Sequence, residues 1–107
     1  MVKKSIVEKV KKYLLIVRKN GFSVSFGVIF GSQSTGSAGK WSDIDLIVVS
    51  PLFDKKRSRK DIDLLWRLAT LVDSRIEPVP CGKDQWKKDD GSAIIEIARR
   101  QGEKVLP

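Results

Sequence analysis

Two acidic residues separated by one apolar residue, Asp43-Ile44-Asp45, open an otherwise apolar run, Leu46-Ile47-Val48-Val49. In an extended strand the side chains at i and i+2 share a face, so both carboxylates point together while Ile44 enters the other layer. Like charges this close repel, and the pair becomes favourable when a divalent cation sits between them. The chain has no histidine and a single cysteine, Cys81. Its ligand set is therefore oxygen alone, which favours Mg²⁺ or Mn²⁺. The missing imidazole also removes Ser-His-Asp and Cys-His nucleophilic catalysis and every His-ligated metal site. Cys81 by itself makes neither an intramolecular disulfide nor a cysteine-built zinc site, and it reads as a free structural thiol. Asp61-Ile62-Asp63 repeats the acidic spacing at the start of a helix, where the dipole accounts for it. It is given no catalytic role.

Upstream of the acidic pair, residues 31–40 (GSQSTGSAGK) are small and polar and follow an apolar stretch. Glycine lets the backbone approach an anion, and successive amides supply donors. The segment comes close to a P-loop, but Ser37 and Ala38 stand where that motif needs Lys and then Ser or Thr, so a P-loop is set aside. Alone, the loop reads as a flexible connection. Joined through Ser42 to the acidic strand, it becomes a phosphate cradle beside a metal pair, the arrangement that nucleotide phosphates with Mg²⁺ would need.

Gly31-Ser32, ten residues, then Asp43-x-Asp45, with Gly36, Ala38 and Ser42 between, resembles the signature of the minimal nucleotidyltransferases of the DNA polymerase beta superfamily, of the kind paired with HEPN proteins. The resemblance takes in the flanking elements and the whole chain. It implies a polymerase-beta-like fold in which Asp43 and Asp45 bind two Mg²⁺ (or Mn²⁺) ions. Gly31 and Ser32 would contact the triphosphate of ATP or another nucleoside triphosphate, with Ser42 in the same nucleotide-binding loop. The family also needs a third catalytic, metal-binding carboxylate on a neighbouring strand. Glu77, in SRIEPVP, matches by position, and Asp73 at a helix end is the competitor. One departure weakens the expected phosphate contact: Ser34-Thr35 stands where many relatives carry Ala-Arg. The reaction implied is attack by an acceptor hydroxyl on the α-phosphate, transferring AMP from ATP to a hydroxyl on a HEPN-type partner protein, in an antitoxin-like role. Two alternatives stand beside it: a domain that neutralises its partner by binding alone, and a basic nucleic-acid-binding module.

The elements that must position these residues follow from periodicity. Ile6, Val10, Tyr13, Leu14 and Val17 form one apolar stripe, predicting a helix over 4–19 with Lys4, Lys11 and Arg18 opposite and Asn20-Gly21 as its stop. Residues 22–30 and 43–49 read as strands, the first turning fully apolar as in a covered sheet. Residues 52–60 read as a charged loop. Ile62, Leu65, Trp66, Ala69 and Val72 predict a helix over 61–72 with Trp66 in the core. Residues 75–79 form a short strand whose Pro78 suggests either a sheet edge or the strand's end. Trp86 lies in a short polar stretch, Ser92 caps a last helix, and Gly102 ends it before an extended tail. The order predicts an α/β (α+β) fold: a small mixed sheet flanked by helices.

The 107 residues suit one domain spanning 1–107, with no room for a separate acceptor-binding domain. Lys and Arg number 21 against 13 acids, giving +8, and residues 1–20 contribute +6 of it. That basic helix could face nucleic acid or an acidic partner, or present a solvated surface. Neither a secretory leader nor a membrane-spanning run is legible, so a cytoplasmic protein is expected.

Overall fold

The computed structural model describes residues 2–89 and 91–107. Ten elements follow one another: α1 (Lys4–Lys19), β1 (Phe26–Phe30), α2 (Ser32–Thr35), β2 (Ile44–Val49), α3 (Leu52–Lys55), α4 (Arg59–Thr70), β3 (Ile76–Cys81), α5 (Lys83–Lys88), α6 (Ala93–Gln101) and β4 (Glu103–Val105). The strands make one sheet in the order β3-β2-β1-β4. β2 is antiparallel to β1 and parallel to β3, so the sheet is mixed as expected.

Alternation along the strands divides the interior in two. Ile44, Leu46 and Val48 of β2 join Ile29 and Ile76 against α1 and α4. Ile47 and Val49 join Val28 and Cys81 against Ile95 and Ala98 of α6 and Trp86 of α5. Helix α1 buries the predicted stripe, and the Tyr13 hydroxyl donates to the Leu65 carbonyl of α4 at 2.9 Å. Burial raises the Tyr13 pKa, so this phenol stays a neutral donor.

Strand β3 carries two prolines, Pro78 and Pro80, and lies at the sheet edge. The carbonyls of Arg75 and Cys81 accept from Ile44 (2.8 Å) and Ser50 (3.0 Å) on the β2 side. Odd-numbered residues therefore turn their main-chain polar groups to β2, and both prolines fall on outward positions, where no ladder amide is lost.

Four details differ from the sequence reading. The first strand begins at Phe26 rather than at residue 22. The charged segment 52–60 holds a helical turn, α3, and the start of α4, capped by Ser58, whose hydroxyl accepts from Asp61 N at 3.2 Å. Trp66 is 45% exposed, because Leu68 takes the inward position beside Leu65 and Ala69. The polar stretch around Trp86 is helical: the Asp54 carboxylate accepts from the amides of Asp84 (2.9 Å) and Gln85 (3.2 Å) and so caps α5 from outside.

Replacing Tyr13 by Phe removes the buried hydrogen bond between α1 and α4. Urea unfolding should show a loss of about 1 kcal/mol with an unchanged m-value.

Candidate active site

The parallel register of β2 and β3 sets Asp45 directly opposite Glu77. Adjacent strands run roughly 4.8 Å apart, so the carboxyls leave neighbouring backbones on the same face. That face is the one covered by α5 and α6, since Asp45 is in phase with Ile47 and Val49, and Glu77 with Val79 and Cys81. Asp43, exposed just before β2, lies close enough to the same cluster for its charge to act on both Glu77 and Asp45. Glu77 is held above the usual carboxylate range, first by burial, then by the neighbouring Asp43 and last by Asp45. Asp45 is also raised, by burial and then by Asp43.

Three mutually repelling carboxylates form a hard oxygen donor set that gains from a divalent cation, so the residues fit Mg²⁺ or Mn²⁺ in chemistry. As the side chains stand, among the described residues no three acidic, histidine or cysteine groups are gathered tightly enough to enclose a metal ion.

Asp73 is engaged elsewhere. It accepts from Lys9 Nζ at 2.9 Å, and from Arg75 at its Nη2 (2.8 Å), Nε (3.0 Å) and main-chain amide (2.9 Å). The Arg75 guanidinium holds the Asp73 carboxyl well below its ordinary range. Asp73 thus ties α1 to the start of β3 and lies apart from the Asp43–Glu77 cluster.

The loop meets the acids at Gly31. Its φ of +73° lies in the left-handed region, and a Cβ built there would stand 2.4 Å from Asp45 Oδ2. Only glycine satisfies both constraints. Ser32 begins the single turn of α2. The Ser42 hydroxyl accepts from the Gly39 amide at 2.8 Å, closing the turn that delivers Asp43. Thr35, at the position of the missing arginine, hydrogen-bonds within its own loop to the Ser32 carbonyl and to Ser37 Oγ at 3.0 Å.

Gln33 was missed by the sequence reading. It is 6% exposed, and its Nε2 donates to the carbonyls of Ser42 and Asp43, both at 3.3 Å. This amide pins the end of the loop, and with it the backbone of Asp43. A polar residue among Gly and Ser carries no periodic signal, so only the tertiary contact reveals the role. Trp41, by contrast, stands 80% exposed with Lys40 Nζ 5.2 Å from its ring centre. Cys81 is buried, and burial pushes its thiol up to about 11, in keeping with an inert structural role.

A mixed sheet thus sets paired carboxylates beside a glycine-serine loop, and similarity to known proteins assigns the family. The nucleotidyltransferase domain profile matches residues 6–100. The chain belongs to this nucleotidyltransferase family. Among solved structures, a toxin–antitoxin with AMP-PNP aligns with a TM-score of 0.62 at 24% identity, covering 92% of this chain and 70% of that one. A putative nucleotidyltransferase from Sulfolobus solfataricus aligns at 0.60 and 18% identity, covering 94% and 77%. A mutant of the toxin–antitoxin MntA-HpeT aligns at 0.61 and 22% identity, covering 92% and 70%. These structures share the fold. No curated protein matches the chain.

Gly31→Ala should lower the melting temperature and weaken nucleotide binding together, because the new methyl group displaces the Asp45 carboxylate. Asp43→Asn should raise the melting temperature by a few degrees in EDTA at neutral pH. The sign follows from the raised carboxyls: their repulsion is fully present above their folded pKa values and is relieved as pH falls through them. The gain should therefore shrink at acid pH, and a scanning-calorimetry series between pH 7 and 4 checks both points.

Proposed function

We propose that this nucleotidyltransferase moves AMP from ATP to a hydroxyl on a partner protein, as the antitoxin-like half of a pair, with Asp43, Asp45 and Glu77 as its catalytic and metal-holding residues. The observation that carries the reading is the pairing of Asp45 with Glu77 across β2 and β3, with Asp43 beside them and Gly31 against Asp45. When bound to these three carboxylates, two Mg²⁺ ions, or Mn²⁺, would supply charge stabilisation at the attacking and leaving oxygens. Gly31, Ser32 and Ser42 form the nucleotide loop: the first gives room for phosphate beside Asp45, and the last holds the loop closed over the site. Glu77, whose proton affinity is raised, is suited to accept the proton of the acceptor hydroxyl.

The nucleotide choice is supported by the fold neighbour solved with AMP-PNP, and the partner by the two neighbours described as toxin–antitoxin assemblies. A HEPN-type protein is the partner that the motif resemblance names. No helix among the described residues is long and apolar enough to cross a membrane, and a cytoplasmic setting suits an ATP-dependent protein modifier. A second reading, neutralisation of the partner by binding alone, is favoured by one observation: Thr35, where the motif resemblance implies an arginine, instead folds back onto its own loop.

Titration of ATP into the protein should give saturable binding that requires Mg²⁺ and disappears in Asp43→Asn/Asp45→Asn. Transfer of label from α-labelled ATP to the partner protein should fall to one common background in Asp43→Asn, in Asp45→Asn and in the double variant, because these ligands act as a unit. Nucleotide binding without any transfer, while complex formation persists, would select the second reading.

A further inference from the structure

The carboxylate cluster occupies the face of the sheet covered by α5 and α6. On the α1 side, a separate pocket of about 280 Å³ opens between the start of α1, residues 38–40 of the loop and Arg75. Four cations line it, Lys3, Lys9, Lys40 and Arg75, with Gln33 among its walls, and among the described residues no acidic side chain belongs to its lining. Asp73 lies behind, within ion-pair distance of both Lys9 and Arg75 at 2.9 and 2.8 Å, so it holds two of the four in place. With Asp73 engaging two of the four, and the Glu103 carboxylate accepting from the Val2 amide beside Lys3 at 3.4 Å, the cations still outnumber the acids and leave the pocket positive. Lys3 and Lys40 are exposed at the rim. The exposed Trp41 ring adjoins it, since Lys40 both lines the pocket and stands over that ring.

The two sites thus differ in sign. The carboxylate cluster repels phosphate until a divalent cation neutralises it, whereas the basic pocket attracts phosphate with no metal at all. Lysine and arginine side chains supply charge-assisted donors suited to phosphate oxygens. Gln33 belongs to both neighbourhoods: it lines the pocket while its Nε2 holds the carbonyls of Ser42 and Asp43.

We propose that this pocket is a second, metal-independent phosphate site, taking a phosphate or pyrophosphate group. The group comes either from a free phosphate compound or from a single-stranded oligonucleotide with a base laid on Trp41. The site is independent of the reaction proposed for the carboxylate face.

The test is calorimetric titration at low salt in EDTA, using inorganic pyrophosphate and a short oligouridylate as probes. The wild-type protein should bind pyrophosphate saturably. Lys3→Ala/Lys40→Ala should weaken that binding by about tenfold, while Lys11→Ala/Lys12→Ala, with the same change in net charge, should leave it nearly unaltered. Asp43→Asn/Asp45→Asn should retain it. Tighter binding of the oligonucleotide, with fluorescence quenching lost in Trp41→Phe, assigns the polynucleotide source. Equal binding without that quenching assigns the free compound. No binding in EDTA overturns the proposal, as does equal weakening by the two lysine pairs, which would mean diffuse charge. Loss of Mg²⁺-dependent ATP binding with the EDTA result intact would count against the proposed reaction only.

Discussion

The functional reading depends on one register, the placement of Asp45 opposite Glu77 in a parallel strand pair. A slip of one residue would set Asp45 across from Ile76 or Pro78 and turn one carboxylate into the apolar layer beneath. Several constraints oppose that slip. Main-chain bonds close the pair at both ends, from Ile44 to Arg75 and from Ser50 to Cys81. Ile44, Leu46 and Ile76 are buried on one face, while Ile47, Val49 and Cys81 are buried on the other. The two prolines tolerate only the outward phase. Asp73 adds a polar lock, holding Arg75 at the strand's entrance while gripping Lys9 of α1. A carboxylate that looks like a candidate ligand in sequence thus serves to aim the one opposite Asp45.

Electrostatics are arranged by layer as well as by residue. The acids gather on one side of the sheet at the ends of β2 and β3, while α1 brings most of the basic excess to the other side. The loop from Gly31 to Ser42 passes between these regions, and Gln33 is its fixed point. Burial of an uncharged amide there suits the location, since a charged residue would be drawn to one field or the other. The cost of holding three carboxylates together is borne by the apolar layers, which define the strand positions without help from the acids.

Much of this was legible in the residues because the signals were periodic or bore an unambiguous turn chemistry. Helix α1 has the predicted bounds, since five apolar positions share one stripe and Asn20-Gly21 stops it. The missing amide of Pro78 restricted it to a sheet edge or a strand end, and the structure shows the edge, with the strand continuing to Cys81. The pair Asp43 and Asp45 stood out against an apolar strand, and the glycine-serine loop pointed to phosphate. Other features depended on contacts between distant segments. Trp66 and Leu68 are both compatible with a helical stripe, and only packing against the sheet decided between them. The α5 turn takes its cap from Asp54, far away in the chain. Gln33 and the sharing of Lys9 and Arg75 by Asp73 have no local signature at all.

The sheet's two borders are unlike. Along β3, Pro78 and Pro80 occupy the outward phase, so a foreign strand meets a row lacking two of the amides it would need. Along β4 no proline intervenes, yet that strand is only three residues long and pairs with β1 over Gly27–Ile29, leaving Phe26 and Phe30 beyond its reach. The domain can therefore be lengthened by strand addition from one border alone. Fusions, tags or linkers that carry β-prone sequence are best joined so that they cannot fold back across β4.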